Sequence, residues 1–458
     1  MTPIVPIDNS LFLKWLSQRL VVDAPLEPDS ELYEPLYDQS PDDPIGLIFR
    51  DIVFSEVQSL NFISGFRGSG KTTELFRLRK KLRDDGFFVA YANALDYVLP
   101  SEPVDISDFL IVLAGSFSDS LEEELGFDAA KESWWTRFVH FLTKTNVELE
   151  GFEVKAGAKG KNVEAGLNLK ASLKQVPSFR QKLREKMTPR LGELRREVQE
   201  FFEDSIKTAK KKAKTDKNVV FIFDQLEQLR DTLGEKSPVA DSVTSLIANH
   251  RDDLQLPSVH CVYTVPPWLK FKLPGLPTRL LYNVKLWDND PGRTTNPDGL
   301  KTMRRIVERR FTADGMRRYF GGVVKKSNPS PLASPLADRL IQASGGHFRD
   351  LLRLLRETLL RSSSLPIPET LVDAAIVSLR ASFLPIPVQN AFWLNEIGHK
   401  RDSLLKDTSA ASIRQMTLFL DTHCVTIHCN GLEWYDVHPI LRDEVEEIVK
   451  REGAAPPK

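Results

Sequence analysis

Eight consecutive residues, Gly65-Phe66-Arg67-Gly68-Ser69-Gly70-Lys71-Thr72, follow the pattern G-x-x-x-x-G-K-[ST]. Each residue type has a job in phosphate binding. The glycines let successive backbone N–H groups turn inward as an anion nest. A helix that begins at Lys71 adds the positive end of its dipole. Lys71 then meets the β- and γ-phosphates of a nucleotide, the Thr72 hydroxyl ligates Mg2+, and Thr73 closes the binding segment. The local pattern is the one this chemistry needs. An apolar run, SLNFIS (59–64), leads in, and a helical pattern with Leu75, Leu78 and Leu82 leads out. A second carboxylate-bearing element is Val219-Val220-Phe221-Ile222-Phe223-Asp224. Four or five apolar residues ending in an aspartate describe a buried strand that delivers a carboxylate to a metal's hydration shell. Gln225 follows it, and Glu227 stands three residues beyond Asp224. Glu227 is a candidate base for the attacking water; its alternative is a carboxylate at a helix start, stabilising without catalysis.

The elements that must position these residues fit a parallel α/β sheet. The apolar runs 59–64, FFVAYAN (87–93), NVVFIF (218–223), VHCVYTV (259–265) and LLYNVKL (280–286) are separated by helical patterns. Continuous rather than alternating apolar runs fit strands covered on both faces. The stretch between the second and third runs is too long for one crossover. It holds a helix around Trp134, Trp135 and Phe138, a glycine-broken alternating segment at 151–173 read as a β-hairpin, and a charged helix over 177–214 with a kink expected at Pro189. Residues 150–217 carry 18 Lys and Arg against 10 Asp and Glu, so this insertion is basic.

Together the phosphate loop, Asp224, the run VHCVYTV and the segment Gly345-Gly346-His347-Phe348-Arg349-Asp350 resemble the AAA+ ATPases. The branch is the one holding origin-recognition initiators, transposition regulators and the STAND signalling ATPases. The resemblance implies ATP and Mg2+ as ligands. It makes Thr264 the sensor 1 residue, Arg349 the sensor 2 arginine at the start of a lid helix, and Arg279 an arginine finger acting across a subunit interface. The expected fold is an α/β P-loop sheet with helices on both faces, then a helical lid and a C-terminal winged-helix-like domain. Asn430-Gly431, between β-rich flanks, predicts that domain's hairpin. The expected boundaries are an N-terminal extension at 1–45, an ATPase core at 46–290, a lid at 296–375, a winged helix at 376–450 and a disordered tail at 451–458.

Composition bounds the function classes. The chain has 458 residues, 62 Lys and Arg against 63 Asp and Glu, and three cysteines. The charge balance opposes a nucleic-acid coat, and the cysteine count excludes a disulfide scaffold and suits a reducing, cytoplasmic setting. No apolar run reaches the roughly 20 residues of a spanning helix, so no membrane partner is expected. The leading expectation is an ATP-driven molecular switch that signals to a second copy of itself or a separate effector. The resemblance places such switches in bacterial signalling or anti-phage modules. A slowly hydrolysing nucleotide-stabilised scaffold is one alternative. Another is a DNA-binding initiator, opposed by residues 376–458, which carry 9 basic against 11 acidic residues. The lysines at 207, 210, 211, 212, 214 and 217 make weak nucleic-acid contact the remaining option. On the hairpin, His423-Cys424 and His428-Cys429 read as ordinary strand residues rather than metal ligands.

Overall fold

The computed structural model describes residues 5–36, 42–126, 133–145, 168–231, 237–321, 334–403 and 409–453. The chain divides into two compact units. One comprises residues 40–64 and 74–280, the other 1–39, 65–73 and 281–458.

The first unit is built on a sheet of five strands: β1 (Ser59–Gly65), β2 (Val89–Asn93), β3 (Val219–Asp224), β4 (Val259–Val265) and β5 (Thr278–Leu281). Their order is β2-β3-β4-β1-β5. The pairs β2–β3, β3–β4 and β4–β1 are parallel, with Phe223 opposite Tyr263 and Ile63 opposite Thr264. Every residue of β3 and β4 is buried, so both sheet faces are covered, as unbroken apolar runs require. Helix Ile106–Leu125 packs on β2 and on helix Leu191–Ala213, which reaches β3. Phe117 fills the seam between them, 4.8 Å from Phe202 and 5.3 Å from Phe221.

Three expectations change here. The fifth run, 280–286, is strand only as Thr278–Leu281; beyond Leu281 the chain leaves the sheet. The charged helix over 177–214 is two helices, Pro177–Met187 and Leu191–Ala213, joined by a 3-10 turn at Thr188–Arg190. Pro189 has no N–H to continue the ladder, so the break falls there rather than a mere bend. The hairpin expected at 151–173 lies outside the described residues up to 167, and residues 168–175 are helical.

The second unit holds an N-terminal helix, Asn9–Arg19, capped by Asp8. It packs on helix Pro297–Phe320, where Arg19 donates to the carbonyls of Arg310 (2.8 Å) and Arg309 (2.7 Å). Helices Pro335–Ala343, Phe348–Arg361 and Glu369–Ala381 follow, then Val388–Lys400 and Ala410–Asp421. An antiparallel hairpin, β6 (Val425–Asn430) and β7 (Leu432–Val437), reverses at Gly431, whose φ of 91° suits glycine. The last helix, Arg442–Glu452, packs back on Val388–Lys400. Of the tail expected at 451–458, Arg451 and Glu452 belong to this helix, and 454–458 lie outside the described residues. Among the described residues no helix is long and apolar enough to cross a membrane.

Candidate nucleotide site

The phosphate loop begins where β1 ends. Gly68 and Gly70 both have φ of 89°, the left-handed region that turns backbone N–H groups inward. Lys71 opens helix Lys71–Asp84; it is buried, and its Nζ donates to the carbonyls of Gly65 and Phe66, each at 2.9 Å. Phe66 is buried, Arg67 is exposed, and Thr72 and Thr73 are half-buried; Thr73 Oγ1 accepts from Leu26 N at 3.1 Å. Ser69 is 3% exposed and its Oγ has no hydrogen-bond partner. Such an orphan at the centre of an anion nest fits a phosphate oxygen.

Helix Phe348–Arg361 starts against this loop, within the same unit. Arg349 N donates to Gly68 O at 3.3 Å, and a Cβ built on Gly68 would lie 2.5 Å from Arg349 Cβ. Only glycine permits that approach. The Arg349 side chain is paired with Asp23 at 3.2 Å, and its Nε is buried without a partner. Gly346 explains the double glycine before it. Its φ is 75°, a Cβ there would fall 1.9 Å from Val284 O, and Val284 N donates to Gly346 O at 3.1 Å.

Asp224 ends β3 in the sheet-bearing unit, and β1, from which the phosphate loop emerges, is separated from β3 by β4. It is fully buried, with Oδ2 accepting from Tyr91 OH at 2.8 Å and Oδ1 accepting from Gln225 N at 2.7 Å. Burial, and then Asp224, push the Tyr91 hydroxyl well above its usual pKa, so Tyr91 stays a donor. Gln225 adopts φ of 68°, unusual for a non-glycine residue, which redirects the chain into the turn Leu226–Gln228. Glu227, in that turn, is half-buried and close enough to Asp224's partner Tyr91 to raise its pKa further. Thr264 on β4 is fully buried, and its Oγ1 accepts from Leu226 N at 3.0 Å. It therefore anchors the turn that carries Glu227. Arg279 lies inside β5, not before it as the sequence suggested, and is exposed. The strand starts earlier than its apolar residues do.

A buried cluster beside the phosphate loop has no signature along the chain. His347, Asp350, His423 and His438 are 3%, 3%, 9% and 0% exposed. His347 Nε2 lies 3.0 Å from Arg67 O, on the phosphate loop itself. His423, expected on a strand, instead precedes β6 with φ of 58°, and its ring stands 4.6 Å from Phe66. The other hairpin candidates disperse. Cys429 is exposed, Cys424 half-buried, and His428 stacks on Trp434. Burial, then His423, pushes His347 down to about 4.

No protein-family model matches the chain, and no curated protein does. Among solved structures it is similar to the Walker-type ATPase PABY2304 of Pyrococcus abyssi, with TM-score 0.40 and 11% identity, covering 93% of this chain and 99% of that one. It is also similar to the ORC2 protein of Aeropyrum pernix in ADPNP and ADP complexes, with TM-score 0.38 and 12% identity over 96% and 98% of the two chains. At such scores neither likeness carries function to this chain.

Proposed function

We propose that the protein binds ATP with Mg2+ and acts as an AAA+/STAND-type switch ATPase, passing its nucleotide state to a second copy or a partner protein. The observation that carries this reading is the direct bonding of the phosphate loop to the start of helix Phe348–Arg361, through Arg349 N on Gly68 O and His347 on Arg67 O. Any rearrangement of the loop on phosphate binding must move those bonds.

In this reading the inward N–H groups of residues 66–72 and the Lys71 ammonium hold the β- and γ-phosphates. Lys71 exchanges the carbonyls of Gly65 and Phe66 for phosphate oxygens. Thr72 and Asp224 are the residues that would hold Mg2+, which supplies charge neutralisation at the phosphates. Arg349 leaves Asp23 for the γ-phosphate, and Thr264 keeps the Glu227 turn in place while Glu227 orients water. Arg279, exposed, is the arginine offered to a neighbouring subunit.

The test is nucleotide-dependent stability. ATP at about 100 times its Kd stabilises a native-state binder by about 2.7 kcal/mol. The wild type is expected to show that rise in melting temperature, and Lys71→Ala to lose it while remaining folded. ATP affinity unchanged in folded Lys71→Ala would overturn the reading.

A further inference from the structure

In the buried histidine cluster a neutral His347 ring cannot satisfy both of its neighbours. His347 Nε2 faces Arg67 O at 3.0 Å, and a carbonyl only accepts, so the proton of a neutral His347 belongs on Nε2. Its Nδ1 then points a lone pair at Asp350 Oδ2, 2.8 Å away, acceptor against acceptor. A second imidazole, His423, brings Nδ1 to 3.1 Å of the same oxygen, and a third, His438, brings Nε2 to 3.4 Å. Doubly protonating His347 would repair the contact, at the cost of a cation in a ring that water hardly reaches.

An independent mismatch stands on the other side of His423. Asn283 is 5% exposed; its Nδ2 is placed 3.1 Å from His423 Nε2, while its Oδ1 is buried with no partner. The two ends of a carboxamide are interchangeable in shape. With the amide reversed, Oδ1 accepts a proton from His423 Nε2, Nδ2 takes the place that Oδ1 held, and His423 Nδ1 becomes a bare lone pair. Both histidines then present unprotonated Nδ1 atoms towards one carboxylate. His438 differs. Its Nδ1 accepts from Ile440 N at 3.4 Å, so its proton sits on Nε2, which lies 3.4 Å from Asp350 Oδ2 without a hydrogen bond.

We propose that His347 Nδ1, His423 Nδ1 and the Asp350 carboxylate form a binding site for one zinc-class divalent cation. One ligand atom from each of the three residues lies within 4.8 Å of the other two, and the two Nδ1 atoms are 2.8 and 3.1 Å from Asp350 Oδ2, a span a small movement closes around a metal with bonds of about 2.0–2.2 Å. Two imidazoles and a carboxylate are zinc's borderline donor set. Two of the ligands are oriented from behind, His347 by the Arg67 carbonyl and His423 by Asn283, the arrangement that fixes tautomers at metal centres, and the Asp350 carboxylate has Arg353 3.6 Å from its other oxygen. The three ligands come from before helix Phe348–Arg361, from its first turn and from the approach to β6. The cation would therefore tie the hairpin to the helix start that holds the phosphate loop.

The full chain, purified without chelators, is expected to carry about one zinc per chain by elemental analysis, or to take up one equivalent in competition with a chromophoric chelator. Co2+ in its place should give visible d–d absorption. His423→Ala and His347→Ala are expected to lower zinc affinity by more than about 10-fold, and Asn283→Leu, which keeps every ligand, by about 10-fold. Lys71→Ala, which touches no ligand, should keep the zinc while losing ATP, separating this site from a nucleotide-borne metal. The wild type alone can overturn the proposal. Less than about a tenth of an equivalent retained after incubation with excess Zn2+ would mean a hydrogen-bonded cluster only, and stoichiometric iron or manganese in preference to zinc would overturn the zinc assignment.

Discussion

In the proposed mechanism Gln225 turns the chain and Glu227 orients the water, two tasks beside Asp224. Gln225 spends its backbone on the positive-φ turn, and its N–H on Asp224. Glu227 is thereby brought near the Tyr91–Asp224 pair. Glu227→Gln is expected to keep ATP bound and to reduce turnover by about 10²-fold or more, the scale of a lost general base. Unchanged turnover in a phosphate-release assay would make Glu227 a turn carboxylate only. Arg349 offers a second test at this scale. Its pairing with Asp23, a side chain 79% exposed, must break for the guanidinium to reach phosphate. Exposed ion pairs are worth about 0.2–1 kcal/mol, so Asp23→Ala should tighten ATP by up to about 5-fold in a titration. Arg349→Ala should instead slow hydrolysis by orders of magnitude, as loss of an arginine on transferring phosphate does.

At the scale of elements, helix Ile106–Leu125 carries a charge into its buried face. Asp108 is 3% exposed, bonded through Oδ2 to Arg184 at 2.5 Å, with Oδ1 lacking a partner. Burial outweighs Arg184 and pushes this carboxyl up to about 6. The folded state therefore binds the proton more tightly than the unfolded chain. The stability this brings is full below the unfolded value near pH 3.9 and is lost as pH rises through about 6. Asp108→Asn, always neutral, should gain on the wild type by up to about 3 kcal/mol between pH 4 and pH 7, by denaturant titration at the two values. A constant difference across that range would show that the Arg184 pair dominates. The same scale shows why the double glycine precedes His347. Gly346 lets Val284 close on the chain, and the helix start is thereby pressed onto Gly68.

Over the whole molecule, charge decides between readout to protein and readout to DNA. Between Leu418 and Asp436, which spans the hairpin, there is no lysine or arginine, and helix Ala410–Asp421 has only Arg414. DNA affinity comes largely from neutralised phosphates and falls steeply with salt. We expect weak, sequence-independent DNA binding at about 0.15 M salt, carried by Lys207–Lys217 and insensitive to changes within 411–437. Tight binding at that salt, lost on deleting 376–458, would favour the initiator-type alternative.

Local chemistry made much of this protein readable in advance. The phosphate loop is contiguous, and its residue types, the entering run and the leaving helix lie within about 25 residues. β3 is an unbroken apolar run up to Asp224, and the other parallel strands are mostly apolar, as burial on both faces requires. The Asn430-Gly431 reversal is a backbone requirement written in two residues. What the sequence could not settle was anything requiring distant segments to meet. β5 begins with Thr278 and Arg279 because sheet pairing, not apolarity, sets its start. His347, Asp350, His423, His438 and Asn283 are spread over some 150 positions and share no period or spacing. Read along the chain, His423 was a neighbour of Cys424 and His428. A left-handed backbone turn before β6 took it out of the strand and placed its ring against Phe66 and His347. Side-chain direction at such a turn depends on packing, and packing exists only once the chain has folded.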